Sequence, residues 1–124
     1  TTEYSNAINK TILEMLSAYD QQERKCGKLL ETAIELAQYI YDYDPNHIFL
    51  LNCMQAMKRK RSLNSQEKDK ILSIIKIETN NFQEKIGAAI LLEDFKQAKI
   101  LYKKLSRKEQ KKFDSFPIVN LWKR

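Results

Sequence analysis

Apolar side chains recur every three or four residues along nearly the whole chain, and no stretch reads as a strand. A period near 3.6 places each set on one side of an α-helix, so the chain must bury a series of helical stripes against one another. Tyr4, Ala7, Ile8, Ile12, Met15, Leu16 and Tyr19 make the first stripe. Leu29, Leu30, Ala33, Leu36, Ala37, Ile40 and Tyr41 make the second. Phe49, Leu50, Cys53, Met54 and Met57 line a third helix, expected from about residue 47 to 61. Ile71, Leu72, Ile74, Ile75 and Ile77 follow, then Phe82, Ile86, Ala89 and Ile90, then Phe95, Ala98, Leu101, Tyr102 and Leu105. A short seventh helix carries Phe113, and a last turn or helix carries Ile118, Leu121 and Trp122. The expected fold class is all-α: an array of antiparallel helical hairpins with about seven to eight helices.

Glycine and proline number two each. That scarcity argues against sheets and against glycine-rich loops that cradle phosphates. Where punctuation occurs it is local. Asp44-Pro45-Asn46 stops one helix, because the residue before proline is pushed out of the right-handed helical region, and Asn46 can cap the next. Gly27 reads as the end signal of the first helix. Ser65 reads as a cap, and Ser106 with Glu109 as a capping box. The cations of KRKR at 58–61 suit the C-terminal end of the third helix.

The 124 residues fit a single domain, 1–124, with hairpins at about 3–44, 46–78 and 80–105 and a C-terminal cap at 106–124. No apolar run approaches the ~18 residues needed to cross a bilayer, and TTEYSNAINK lacks a basic patch followed by an apolar stretch, so no signal peptide is expected there. Cys26 and Cys53 are expected as free thiols of a reducing cytoplasm rather than as a disulfide. The chain opens on Thr1 rather than methionine, so a piece of a longer protein is expected.

Charge is divided unevenly. Residues 1–57 hold four basic and eight acidic side chains; residues 58–124 hold eighteen basic and eight acidic. Two readings stay open. One is a solvated, lysine-rich surface of the kind common in AT-rich bacterial proteomes. The other is an acidic partner for the C-terminal half: nucleic acid, an acidic peptide, or the acidic half of another molecule.

Ala33, Ala37, Ile40 and Asp44-Pro45-Asn46 together resemble the second helix of a tetratricopeptide repeat with its closing proline. GAAILLEDFKQAKILYKKL at 87–105 is similar, with Ala98, Tyr102 and Leu105 at matching spacing, and a weaker unit between them has Glu67, Ile71 and Ile74. The resemblance spans about residues 14–105. It implies a right-handed α-α superhelix with a concave groove for a peptide, a partner protein or a second copy. The groove positions it implies are Phe49, Asn52, Ala56, Arg59 and Lys60, then Asn80, Gln83 and Gly87. Asn52 would hydrogen-bond a peptide backbone and Arg59 would pair with a carboxylate. The lysine and asparagine set of chaperone-tail binders is not reproduced.

Other motifs are weak. His47 is the sole histidine and, with two distant cysteines, does not make a zinc site. Asp42 and Asp44 read as helix-terminating residues. Arg59, Arg61, Lys103, Lys104, Lys108 and Lys111 could contact phosphates, nonspecifically and with strong salt dependence, but no reading element accompanies them. Phe113, Phe116 and Trp122 read as a cap over the last hairpin, with a partner-docking patch as the alternative. Tyr39, Tyr41 and Tyr43 fall on different sides of one helix, so at least one is expected at the surface, where tyrosine suits interfaces. No catalytic residue, metal or cofactor is expected. The function expected is that of a non-catalytic protein-interaction module, with nonspecific nucleic-acid binding as the alternative.

Overall fold

A computed structural model describes residues 2–77 and 81–124. The described residues are all-helical, with seven α-helices, one 3-10 helix and no strand. They form two compact units, Thr1–Ser62 and Leu63–Arg124. The hairpin expected at 46–78 straddles that boundary.

The first unit holds α1 (Thr2–Gln21), α2 (Gly27–Tyr43) and α3 (His47–Lys60). α2 packs on both neighbours, and α1 also touches α3. Ala33 and Ala37 are fully covered on α2, where their small side chains let the other helices approach. Ile12 and Leu16 of α1 and Ile40 of α2 are fully buried, each contributing about 2 kcal/mol by transfer from water. α3 departs from a single stripe: every residue from Phe49 to Ala56 is buried, the pattern of a helix covered all round.

The break at Pro45 lies where the sequence puts it. The Asp44 amide donates to the Ile40 carbonyl at 2.8 Å, closing α2, and the Phe49 amide donates to Asn46 Oδ1 at 2.9 Å, opening α3. The expectation for Gly27 is corrected. It begins α2 instead of ending α1. A lysine closes α1 instead: Lys25 Nζ donates to the carbonyls of Tyr19 (3.1 Å) and Asp20 (2.6 Å), two of the orphan acceptors at that helix end.

The second unit holds α4 (Ser65–Lys76), α5 (Phe82–Leu91), α6 (Phe95–Tyr102), α7 (Arg107–Asp114) and the 3-10 helix Pro117–Leu121. α5 is its centre: Ile86 to Leu91 are all buried, and α4, α6 and the 3-10 helix pack on it. Asn64, not Ser65, caps α4. Its side chain accepts from the Glu67 amide while Glu67 Oε1 accepts from the Asn64 amide, both at 2.9 Å. The Ser106–Glu109 box on α7 forms as the sequence indicates. Phe113 and Trp122 are buried at the end of the unit, their ring centroids 6.5 Å apart and nearly perpendicular. No helix among the described residues is long and apolar enough to cross a membrane.

Candidate functional site

The groove positions implied for α3 lie inside the first unit. Phe49 and Ala56 are core residues. Asn52 donates through Nδ2 to Asn9 Oδ1 and accepts from Gln55 Nε2 at 2.9 Å. Arg59 donates to the Gln55 carbonyl at 2.9 Å and grips Asp20 with two further bonds; its side chain is 3% exposed. Asn52 and Arg59, expected to contact a peptide, thus have partners within the first unit. Both are committed to a buried polar seam joining α3 to α1, and withdrawing them would leave polar groups of the interior unpaired. Lys60 is exposed and pairs with Glu31 at 2.6 Å. Gln83 is half-buried and Gly87 buried, while Asn80 lies outside the described residues.

The expected phosphate contacts divide between the two units. Arg61 is exposed and donates to the Ser62 carbonyl at 3.0 Å. Lys104 extends over the Phe82 ring. Lys108 and Lys111 are exposed on α7. Lys103 alone of this set lines the concavity of the second unit.

That concavity, about 480 Å³, is the candidate site. One face of α6 supplies Phe95, Lys96, Lys99 and Tyr102, at the three- and four-residue spacing that aligns side chains along a helix, and Lys103 follows as its C-terminal cap. The opposite face, Ala98 and Leu101, is buried in the unit, which fixes the outward direction of the lysines. Gln110 enters from α7, and Trp122, Lys123 and Arg124 follow the 3-10 helix back to the same place. Five cations and three aromatic rings thus converge, and no carboxylate is among the lining residues. Like charges around a concavity reinforce one another's field and draw in anions, while the rings offer apolar flanks.

One corner of the site is braced. Arg124 donates to Asp114 Oδ1 at 2.9 Å, and the Tyr102 hydroxyl donates to Asp114 Oδ2 at 2.8 Å. The guanidinium lies 4.0 Å from the Trp122 ring centre and 5.2 Å from that of Tyr102. Partial burial pushes the Asp114 carboxyl up, but the hydrogen bonds and charge of Arg124, with the Tyr102 hydroxyl, outweigh it and hold the group below its ordinary value. Desolvation, then the bond to Asp114, pushes the Tyr102 hydroxyl up. The clasp keeps the end of the chain against α6 and α7.

Sequence reasoning treated the aromatics as a cap and the lysines as separate contacts, and so missed Phe95, Lys96, Lys99, Lys123 and Arg124 as parts of one site. The spacing of Lys96, Lys99 and Lys103 was a usable signal. Among the described residues no cluster of three or more His, Cys, Asp or Glu could hold a metal ion.

The first unit carries a second surface feature. Tyr4 of α1 and Tyr39 of α2 share a hydrogen bond between hydroxyls at 2.8 Å. Tyr43 lies edge-on to Tyr4, centroids 5.6 Å apart, and stacks beside Tyr39 at 6.4 Å. The bond to Tyr39, with desolvation and the neighbouring phenols, raises the Tyr4 pKa. Tyr39 and Tyr43, expected on different sides of α2, thus share one side of it, and Tyr41 is half-buried. Set against protein-family models, curated proteins and solved structures, the chain matches none of them.

Proposed function

We propose that this chain is a non-catalytic binding module whose second unit takes an acidic segment of a protein at the pocket between α6 and Trp122-Lys123-Arg124. The observation that carries this reading is the convergence of four lysines, and of Arg124 in its pair with Asp114, on three aromatic rings. Such a wall suits carboxylates interspersed with aromatic or apolar side chains. A nucleic acid would need an open ring face for its bases. Trp122 is only 9% exposed and has the Arg124 guanidinium over it, which closes that ring to a base and leaves the half-buried Phe95 and Tyr102 rings as the apolar wall. The tetratricopeptide resemblance fits a binding role, with the contact surface moved from the expected groove on α3 to α6. Two free cysteines suit a reducing, cytoplasmic setting.

The test is fluorescence anisotropy with a labelled glutamate- and tyrosine-rich peptide and, separately, a labelled single-stranded oligonucleotide. Peptide binding that Lys99→Glu abolishes supports the proposal. Oligonucleotide binding without peptide binding overturns it in favour of the nucleic-acid reading.

A further inference from the structure

We infer that the acidic segment is supplied by a second copy of this chain: the tyrosine corner of one molecule docks in the α6 pocket of the next. The inference rests on the pocket reading above and names its occupant.

The corner has the composition the pocket calls for. Tyr4, Tyr39 and Tyr43 remain 44%, 47% and 52% exposed although they touch one another, so their grouping leaves ring surface outward. Acids flank them. Glu3 precedes Tyr4 on α1, Asp42 lies three residues after Tyr39 on α2, and Asp44 follows Tyr43 as the residue closing that helix. Glu3 and Asp42 are exposed. The pocket answers with Lys96, Lys99, Lys103 and Lys123 around the Phe95 and Tyr102 rings. Acids next to the tyrosines in sequence, with Asp42 also accepting from Gln38 at 2.8 Å, are thus matched by ammonium groups around aromatics, with opposite signs on the two surfaces. The same asymmetry runs through the sequence: residues 1–57 carry net −4 and residues 58–124 net +10.

Tyrosine provides large, rigid contact area at low entropic cost, which suits it to the centre of such a contact. The surfaces are different from each other, so the pairing is head-to-tail. Each added copy leaves a corner and a pocket unfilled, and assembly continues until a ring closes or dilution stops it. Rim charges of this kind are screened beyond about 8 Å at physiological ionic strength, so the assembly weakens with salt.

Sedimentation velocity on the 124-residue chain tests this. The wild type is expected to gain mass with concentration at low salt and to revert to monomer in 0.5 M sodium chloride, where the screening length falls to about 4 Å. The pocket variant Lys99→Glu/Lys103→Glu and the corner variant Glu3→Lys/Asp42→Lys change exposed positions, and circular dichroism checks that each is folded. Each variant alone is expected to associate at least about tenfold more weakly than wild type. Mixed with the Lys99→Glu/Lys103→Glu molecule, a Tyr43→Ala variant, which keeps its pocket, is expected to form a 1:1 complex that grows no further. A wild type that stays monomeric at every concentration overturns the inference, as does a mixture that forms no complex. If the wild type stays monomeric yet binds the glutamate- and tyrosine-rich peptide, self-docking falls and the pocket reading stands. If it does neither, both fall.

Discussion

Arg59 reaches from α3 to hold both carboxylate oxygens of Asp20 on α1, Nε to Oδ1 at 2.8 Å and Nη2 to Oδ2 at 2.7 Å. This two-point grip is the geometry in which guanidinium and carboxylate bind most firmly. It closes a seam that begins at Asn9 and Asn52 and runs through Gln55. Asp20→Ala should destabilise the first unit by about 3 kcal/mol, because it strands a guanidinium in the interior. Arg59→Met/Asp20→Leu should cost clearly less, since neither charge is then left alone. Urea titrations of the two variants against wild type measure the difference. Equal losses would show that the pair contributes only through packing. Arg59→Glu would set two acids against each other here, so it reads stability rather than partner binding.

The stripes that make the core were legible because burial on one side of a helix leaves a period in the sequence. The seam was not. Asn52, Gln55, Ala56 and Arg59 lie at helical spacing opposite the apolar stripe, which is how a solvated face reads. Nothing local distinguishes a polar face turned to water from one turned to Asn9 and Asp20, which are 43 and 39 residues away from their partners. The α6 lysines were readable as one row, but their meeting with Trp122 and Arg124 depends on the 3-10 helix carrying the chain back. Gly27 misled for a simpler reason: a lysine side chain can satisfy helix-end carbonyls that glycine more often frees by turning the backbone.

Glu93 occupies a position that favours glycine. Its φ is +59°, in the left-handed region, and it ends α5 in a Schellman arrangement. The Asp94 amide donates to the Ala89 carbonyl at 2.9 Å, and the Glu93 amide to that of Ile90 at 3.0 Å. A side chain there costs about 1 kcal/mol through contact of Cβ with the following carbonyl. Glu93→Gly should therefore raise the stability of the second unit by up to about 1 kcal/mol, less the extra flexibility glycine gives the unfolded chain. Chemical denaturation followed by Trp122 fluorescence, from the only tryptophan, reports on it directly.

The two thiols should react at very different rates. Cys26 is exposed at the start of α2, whereas Cys53 is fully buried on α3 with Sγ 3.5 Å from Gln38 Oε1. A thiol reagent such as dithionitrobenzoate should label one cysteine promptly and the second only as the first unit opens. Peptide mapping should assign the fast site to Cys26. Prompt reaction of both would show that α3 is not held as described. In Asp20→Ala the slow phase should accelerate, because the seam and the Cys53 packing open together.

The clasp at Asp114 sets the behaviour of the pocket in acid. Its carboxyl is held below its ordinary value of 3.8 by Arg124 and Tyr102 against the opposing effect of burial. A group whose pKa is lower in the folded state stabilises that state fully above its unfolded pKa, and the contribution disappears as pH falls through the folded pKa. The exposed Glu109 carboxyl behaves alike, lowered from 4.5 by the Ser106 amide and hydroxyl at the start of α7. The second unit should thus be insensitive to pH from 7 to 5 on account of these groups and lose stability below about pH 4. Asp114→Asn should melt lower at neutral pH and show a shallower acid dependence, with the remaining slope reduced again by Glu109→Gln. Because Arg124 lies over Trp122, tryptophan emission should shift in the same acid range in the wild type and stay flat in Asp114→Asn. A wild-type emission profile that is flat from pH 5 to 2.5 would mean that the Arg124–Asp114 pair does not hold the chain end in solution, and the pocket would then lose its Trp122 wall.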